Sequence, residues 1–271
     1  MKKKVIIIGC GWLGKACGQF LSHQNYNVLG TTRDANNFKT IQDCGITPVL
    51  FDLKPDHIEG DTSTFKGASI AIIAVPPGRN KDSLPEFENK MMQLFACLES
   101  NQIKNILFIS STSVYGNSEE VITENTIPKP DKASGHILRR VENILTNHLF
   151  FNATILRFGG LIGYDRNPAR FLANKSNVDN GDCPVNLIHL DDCVQIIYEI
   201  IHQYKWGEQY NACMPEHPTR KDFYQAAAKH YQLIPPTFSD VNSGRKLISS
   251  DYLTQSLKYK FRYKSPFDIL K

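Results

Sequence analysis

Lys4-Val5-Ile6-Ile7-Ile8-Gly9-Cys10-Gly11-Trp12-Leu13-Gly14 is the stretch on which the fold turns. Its first five residues form a short β-branched run, as expected of a strand buried on both faces. The glycines that follow are spaced G-x-G-x-x-G, and Gly11 to Gln24 carries helical spacing. A strand that runs through such a loop into a helix is the context in which this spacing has meaning. Gly9 permits the tight turn, Gly11 lets a phosphate approach the backbone, and Gly14 lets the helix pack on the strand. The helix N-terminus adds free N–H groups and the positive end of a dipole. The expectation is a dinucleotide-binding loop built by Gly9, Gly11, Trp12, Leu13 and Gly14. The alternative is a plain glycine-rich turn.

Reading outward, strand-like and helix-like segments alternate. Strands are expected at Tyr26 to Thr31, Thr47 to Phe51, Ala68 to Val75, Asn105 to Ser110 and Ala153 to Phe158. Asp34 is placed to cap a short helix. Longer helices are expected from Leu84 to Ser100, where Met91, Leu94, Phe95 and Leu98 share a face, and from Lys132 to His148. Such alternation means βαβ units and a parallel sheet. With right-handed crossovers it becomes an open α/β Rossmann fold, doubly wound with helices on both faces. After Gly163 the pattern loosens. A strand at Val185 to Ile188, a helix from Asp191 to Tyr204, a strand at Gln209 to Ala212 and a helix from Thr219 to Tyr231 are expected, with Leu253, Leu257 and Phe261 at helical spacing in the tail. We read residues 1–163 as the Rossmann domain and 164–271 as a smaller C-terminal substrate lobe, with a soft boundary across which the sheet can recruit later segments.

Composition narrows the function classes. The chain has 271 residues, 41% hydrophobic and 21% charged, which are ordinary globular values. Lys+Arg 31 against Asp+Glu 27 leaves +4, too mild and too evenly spread to argue for nucleic acid. No apolar run approaches the roughly 18 residues of a membrane helix. The seven cysteines are scattered, odd in number and without a C-x-x-C pair. A disulfide framework or structural zinc is therefore not expected, and reduced thiols in a cytoplasmic protein are.

The ends of the strands suggest which dinucleotide is bound. After the second strand an acidic residue suits the ribose 2′-hydroxyl of NAD, whereas an arginine suits the 2′-phosphate of NADP. The sequence there is Thr31-Thr32-Arg33. A guanidinium pairs bidentately with phosphate, so Thr32 and Arg33 favour NADP over NAD. Asp52 and Leu53 end the third strand, where a carboxylate can accept from an adenine amino group. Ala74, Val75 and Pro76 end the fourth and are expected to wall the cleft.

Phe108-Ile109-Ser110-Ser111-Thr112-Ser113-Val114-Tyr115-Gly116 resembles the S-S-x-x-V-Y-G segment of extended short-chain dehydrogenases/reductases, the NAD-dependent epimerase/dehydratase family. Arg157-Phe158-Gly159-Gly160-Leu161-Ile162-Gly163 fits too, and Val185-Asn186-Leu187-Ile188-His189-Leu190-Asp191-Asp192 resembles the family's V-N-x-I-H-x-x-D segment. The short length and the T-T-R ending resemble an atypical bacterial branch. The resemblance implies that Ser111 polarises a substrate hydroxyl or carbonyl. It also implies a Tyr-x-x-x-Lys pair on the following helix, where the lysine lowers the phenol pKa. This chain lacks the pair. With Glu142 on the family's usual glutamate, Ser134 takes the tyrosine position and Leu138 the lysine position. His136 is a candidate acid or base in their place, but it lies on a different helix face from Ser134, and Arg139 and Arg140 are candidates for the positive charge beside Leu138.

Three further residues are substrate candidates: Arg166 and Arg170, which follow the sixth strand and can hold an anionic group, and His189, whose alternative is a structural contact with Asp191 or Asp192 capping the next helix. Gly244-Arg245-Lys246 also has the chance to face the cleft. No metal set is expected. Two functions fit: an NADP-dependent oxidoreductase or epimerase with a non-standard acid/base, acting on a small or nucleotide-sugar-like substrate, or a catalytically inactive dinucleotide-binding sensor. In either case the partner is a small molecule, with no nucleic acid or membrane, and the chain is a monomer or homodimer.

Overall fold

In the computed structural model, residues 2–78 and 84–270 are described. The elements of the first half are β1 (Lys4–Ile8), α1 (Trp12–His23), β2 (Asn27–Thr32), α2 (Phe38–Gln42), β3 (Thr47–Leu53), β4 (Ile58–Gly60), β5 (Ile70–Ile73), α3 (Leu84–Ser100), β6 (Asn105–Ser111), β7 (Val121–Ile122), α4 (Ala133–Thr146), β8 (Asn152–Phe158) and β9 (Gly160–Ile162). The second half adds β10 (Leu187–His189), α5 (Leu190–His202), β11 (Gln209–Ala212), α6 (Arg220–His230), β12 (Leu247–Ile248) and α7 (Asp251–Leu257).

The main sheet has the order β11-β8-β6-β5-β1-β2-β3-β4. Its pairings are parallel except for β4, which runs antiparallel to β3. β1 lies between β2 and β5, with Ile7 opposite Gly30 on one side and Ile8 opposite Ile73 on the other. From β1 the chain steps outward to β2 and β3, then crosses back to β5 and continues the other way. That reversal opens a crevice beyond the C-terminal ends of β1 and β5, where ligands of such sheets bind.

The β1 run is buried on both faces. Ile6 and Ile8 pack with Met91, Leu94 and Leu98 of α3 and Val141 of α4. Val5 and Ile7 pack with Cys17 and Leu21 of α1 and Ile197 and Ile200 of α5. Alternate residues of one strand thus feed two helix layers. α5 and β11 come from the second half of the chain, yet α5 packs beside α1 and β11 is the edge strand next to β8. A third, smaller core of Ile162, Val185, Leu187, Met214 and Phe223 lies beneath α6.

Two short parallel pairs, β9 with β10 and β7 with β12, connect this part to the main sheet's C-terminal edge. The fourth strand is shorter than its apolar run, because Ala68 N–H is engaged by the Phe65 carbonyl in a turn. Asp34 caps the short helix as expected, a 3-10 turn at Ala35–Asn37 that leads into α2. Thr219 caps α6, its Oγ1 accepting from Asp222 N–H at 3.1 Å.

Candidate cofactor and active site

The glycine loop is built by exclusion. Gly9 has φ +93°, a conformation that side-chain-bearing residues rarely adopt, and a Cβ there would lie 3.0 Å from Val75 Cγ2 and 3.1 Å from the Ala74 oxygen. Its N–H donates to Thr31 Oγ1 at 2.9 Å. A Cβ on Gly14 would collide with the Gly9 carbonyl oxygen, so α1 lies on the loop only because none is present. Gly11 differs: a Cβ there would meet nothing within 4 Å. Gly11 caps α1 without a side-chain hydrogen bond, and no acidic residue stands in the first turn. The first-turn amides are therefore free to receive an anion. Leu13 is buried in the α1 core, and burial pushes the Cys10 thiol up to about 12, keeping it an inert apolar filler beside Gly30.

At the end of β2, Arg33 is exposed and forms no ion pair among the described residues. Asp34 caps the following turn, its Oδ1 accepting from Asn36 N–H at 2.9 Å. Thr32 Oγ1 accepts from Asn37 Nδ2 at 3.3 Å. Asp52 on β3 is held by Lys54 Nζ at 2.6 Å. Ala74 and Val75 form the wall against Gly9.

Ser111 ends β6 and caps the turn Thr112–Val114, its Oγ accepting from Ser113 N–H at 3.1 Å. Its own hydroxyl proton remains available. The preceding Ser110 points the other way and donates to Glu142 Oε1 at 2.6 Å. Glu142 of α4 also receives Arg157 Nε at 3.0 Å and Nη2 at 2.7 Å. Arg157 reaches the Tyr115 hydroxyl at 2.7 Å and Gln209 Oε1 at 2.9 Å. Burial, the largest single influence, lowers the Arg157 pKa, but the hydrogen bonds and charges of Glu142 and Tyr115 together outweigh it and the pKa is raised. Tyr115 is thus part of a buried brace beneath the Ser111 turn, and burial raises its pKa.

α4 packs directly on that turn, since a Cβ on Gly135 would collide with the Ser113 carbonyl. Its first turns present neither phenol nor ammonium: Ser134 is half-buried, His136 is exposed, and Leu138 is 4% exposed in the core.

A cation does reach the turn, from elsewhere. Lys246 Nζ donates to the Thr112 carbonyl at 2.5 Å and the Tyr115 carbonyl at 2.7 Å, and burial lowers its pKa. Asn186 fixes that segment, donating to the Lys246 carbonyl at 2.8 Å and accepting from Ile248 N–H at 2.9 Å. The role of Asn186 could not be read from the sequence, because its partners lie some 60 residues away in a segment without regular pattern.

The candidates after β8 separate. Arg166 sits with its Cζ 5.2 Å from the Trp12 ring, and Trp12 Nε1 donates to Asp165 Oδ1 at 2.6 Å. Arg170 is exposed on the turn Pro168–Phe171. His189 is buried and is itself the cap of α5, its Nδ1 accepting from Asp191 N–H at 3.2 Å. Its ring lies 4.2 Å from that of Tyr263 and 5.1 Å from that of Tyr164, and burial lowers its pKa. The capping role thus falls to His189 rather than to either aspartate. Asp192 instead binds the tail, accepting from Tyr259 Oη at 2.6 Å and Arg262 N–H at 2.8 Å. Among the described residues no group of three His, Cys, Asp or Glu is placed to hold a metal ion.

Protein YeeZ from Escherichia coli (strain K12) is 32% identical over 268 residues, 97% of each chain. A functionally unknown conserved protein from Silicibacter pomeroyi superposes with TM-score 0.82 at 20% identity, covering 99% of this chain and 97% of that one. UDP-glucuronic acid 4-epimerase from Bacillus cereus, in complex with NAD, superposes with TM-score 0.80 at 18% identity, covering 98% and 96%. The model of the NAD dependent epimerase/dehydratase family matches residues 5–213. With the glycine loop, the sheet order and this match in agreement, the chain belongs to the NAD dependent epimerase/dehydratase family.

Proposed function

We propose that the protein binds NADP(H) across the C-terminal ends of β1 and β5 and is an oxidoreductase or epimerase acting on a small, nucleotide-sugar-like substrate. One observation carries the reading: Gly11 leaves open space at a helix N-terminus that no side chain caps, while Gly9 and Gly14 admit no side chain. The loop amides would hold the diphosphate. Thr32 and Arg33 would hold the 2′-phosphate, the exposed guanidinium having no ion pair among the described residues while Asp34 is engaged in capping the next turn. The bound dinucleotide supplies a hydride acceptor or donor. Ser111, its oxygen fixed by Ser113 N–H, would direct its proton at a substrate oxygen. The accompanying proton then moves through this hydroxyl or solvent rather than through a phenol–ammonium pair. The substrate would lie between the C-terminal edge of the sheet and the smaller lobe built by those of residues 164–271 that lie outside α5 and β11, in a cytoplasmic monomer or homodimer. Relatives in this fold include a UDP-sugar epimerase with NAD bound, which supports the ligand class.

The second reading, a dinucleotide sensor without turnover, is favoured by Leu138 lying in the core and His136 facing solvent. Calorimetric titration with NADPH and NADH, followed by NADPH oxidation over carbonyl compounds and nucleotide sugars, separates the two. Turnover lost in Ser111→Ala supports the enzyme. Micromolar NADPH binding with silence over the whole panel supports the sensor, and binding of neither dinucleotide refutes both.

A further inference from the structure

The turn at residues 163–166 is anchored at three points. Gly163 has no room for a Cβ, which would lie 2.8 Å from the Trp12 ring and 3.1 Å from Leu190 Cβ. Its N–H and carbonyl exchange hydrogen bonds with those of Arg166 at 3.3 and 3.0 Å. Tyr164 Oη donates to Asp191 Oδ2 at 2.8 Å, and Asp165 takes the Trp12 indole N–H at 2.6 Å. Arg166 is the remaining member. It is half-buried, stacks over Trp12, and has no ion pair or side-chain hydrogen bond among the described residues.

A half-buried guanidinium without an anionic partner among the described residues, lying over the residue that follows Gly11, is placed to take an anion. We infer that Arg166 is a cofactor residue, the cation for the dinucleotide diphosphate, rather than a substrate residue. The inference rests on the proposed cofactor reading and deepens it. Sheet order says which phosphate. Arg33 directly follows β2, on one side of β1, and therefore takes the adenosine end. The 163–166 turn follows β9, which comes after β8 on the other side of β1, so Arg166 takes the phosphate farther from the adenosine. The neighbouring Asp165 carboxylate is engaged by Trp12, its Oδ1 accepting the indole N–H. What Arg166 contributes is a directed, bidentate contact rather than a general positive field. Trp12 sets the direction of that contact, and Gly163 sets its distance.

The test is titration of the full-length protein with NADPH, NADH and adenosine 2′,5′-bisphosphate, by calorimetry and by tryptophan fluorescence. Arg166→Gln should weaken both dinucleotides at least tenfold and leave the bisphosphate within threefold, because that ligand lacks the second phosphate. Arg166→Lys, which keeps charge but not planarity, should fall between. Arg170→Gln, altered on the exposed turn that follows, should match the wild type. If the wild type binds dinucleotide and Arg166→Gln binds it equally well, the inference is overturned while the cofactor reading stands. Equal losses for NADPH and the bisphosphate would overturn the assignment to the second phosphate. A wild type that binds no dinucleotide overturns both.

Discussion

Replacing Glu142 with Gln tests the buried brace beneath Ser111. Glu142 is 0% exposed and Arg157 1% exposed, so neither charge has water to fall back on. The carboxylate accepts from Ser110 Oγ and from two Arg157 nitrogens, with Arg139 Nη1 at 3.3 Å as a weaker fourth contact. In Glu142→Gln the shape is kept and the charge is lost. Arg157 is then left with the neutral oxygens of Tyr115 and Gln209. Breaking a buried pair from one side costs about 3–5 kcal/mol, mostly the penalty of the stranded partner. The amide still offers one acceptor, so the lower end, about 3 kcal/mol, is expected. Two to four degrees per kcal/mol in a chain of this size puts the fall in Tm at roughly 6–12 °C. Glu142→Leu with Arg157→Met removes both charges and should cost less than Glu142→Gln alone, though Ser110 and Gln209 lose partners. The assay is urea unfolding of wild type, Glu142→Gln, the singles Glu142→Leu and Arg157→Met and their double variant, read as midpoints at constant m. A Glu142→Gln cost under about 1 kcal/mol, or a double variant that costs the sum of its singles, would refute the reasoning.

Further outcomes follow from the loop, the strand ends and the half-buried His217. Gly14→Ala should destabilise by about 1–3 kcal/mol, since its Cβ meets backbone that cannot move aside, whereas Gly11→Ala should cost within about 1 kcal/mol yet weaken NADPH; chemical denaturation and calorimetry separate the two, and equal stability losses would contradict the loop geometry. Arg33→Ala should weaken NADPH by about tenfold or more, the worth of a charge-assisted contact, with NADH unchanged; tighter NADH binding in the wild type would remove the basis for the NADP assignment. His217 is held neutral, because burial lowers its pKa although its contact with the Val185 carbonyl at 3.1 Å opposes this. The unfolded chain takes up that proton near pH 6.5 while the folded chain resists, so stability falls as the pH drops below about 6.5. His217→Gln should flatten the fall in urea midpoint between about pH 6.5 and 5.5, and an unchanged slope would assign the acid sensitivity elsewhere.

What could be read in advance was whatever local pattern encodes. The β-branched run before Gly9 named β1, its double burial and the loop. Met91, Leu94 and Leu98 marked the buried face of α3, whose ends fall at Leu84 and Ser100 as the spacing predicts. Thr219 marked the start of α6. Contacts between distant segments were not legible. Nothing near Asp192 announces that it will hold Tyr259 and Arg262. Nothing near Lys246 announces carbonyls more than 130 residues away. β4 is three residues long and follows a loop, too short for any period to register. His189 reads as a ligand or a neighbour of a cap, because its role depends on Nδ1 meeting one particular N–H. Arg166 could be read as a charge near the cleft, but its partner ring is brought to it only by folding.

The placing of β11 beside β8 has a consequence for how the chain is made. As synthesis passes Phe158, β8 presents a full-length strand edge with nothing beside it, and α1 has yet to meet α5. Both are covered only when residues about 50 further on emerge, a delay of about 3–10 s at typical rates of translation. For that interval the nascent chain carries an open parallel sheet edge and an uncovered apolar helix face, the two features that invite pairing with other chains. A ribosome paused between β8 and β11 should therefore hold a chain that recruits chaperones, whereas one paused after residue 212 has cleared the exit tunnel should not.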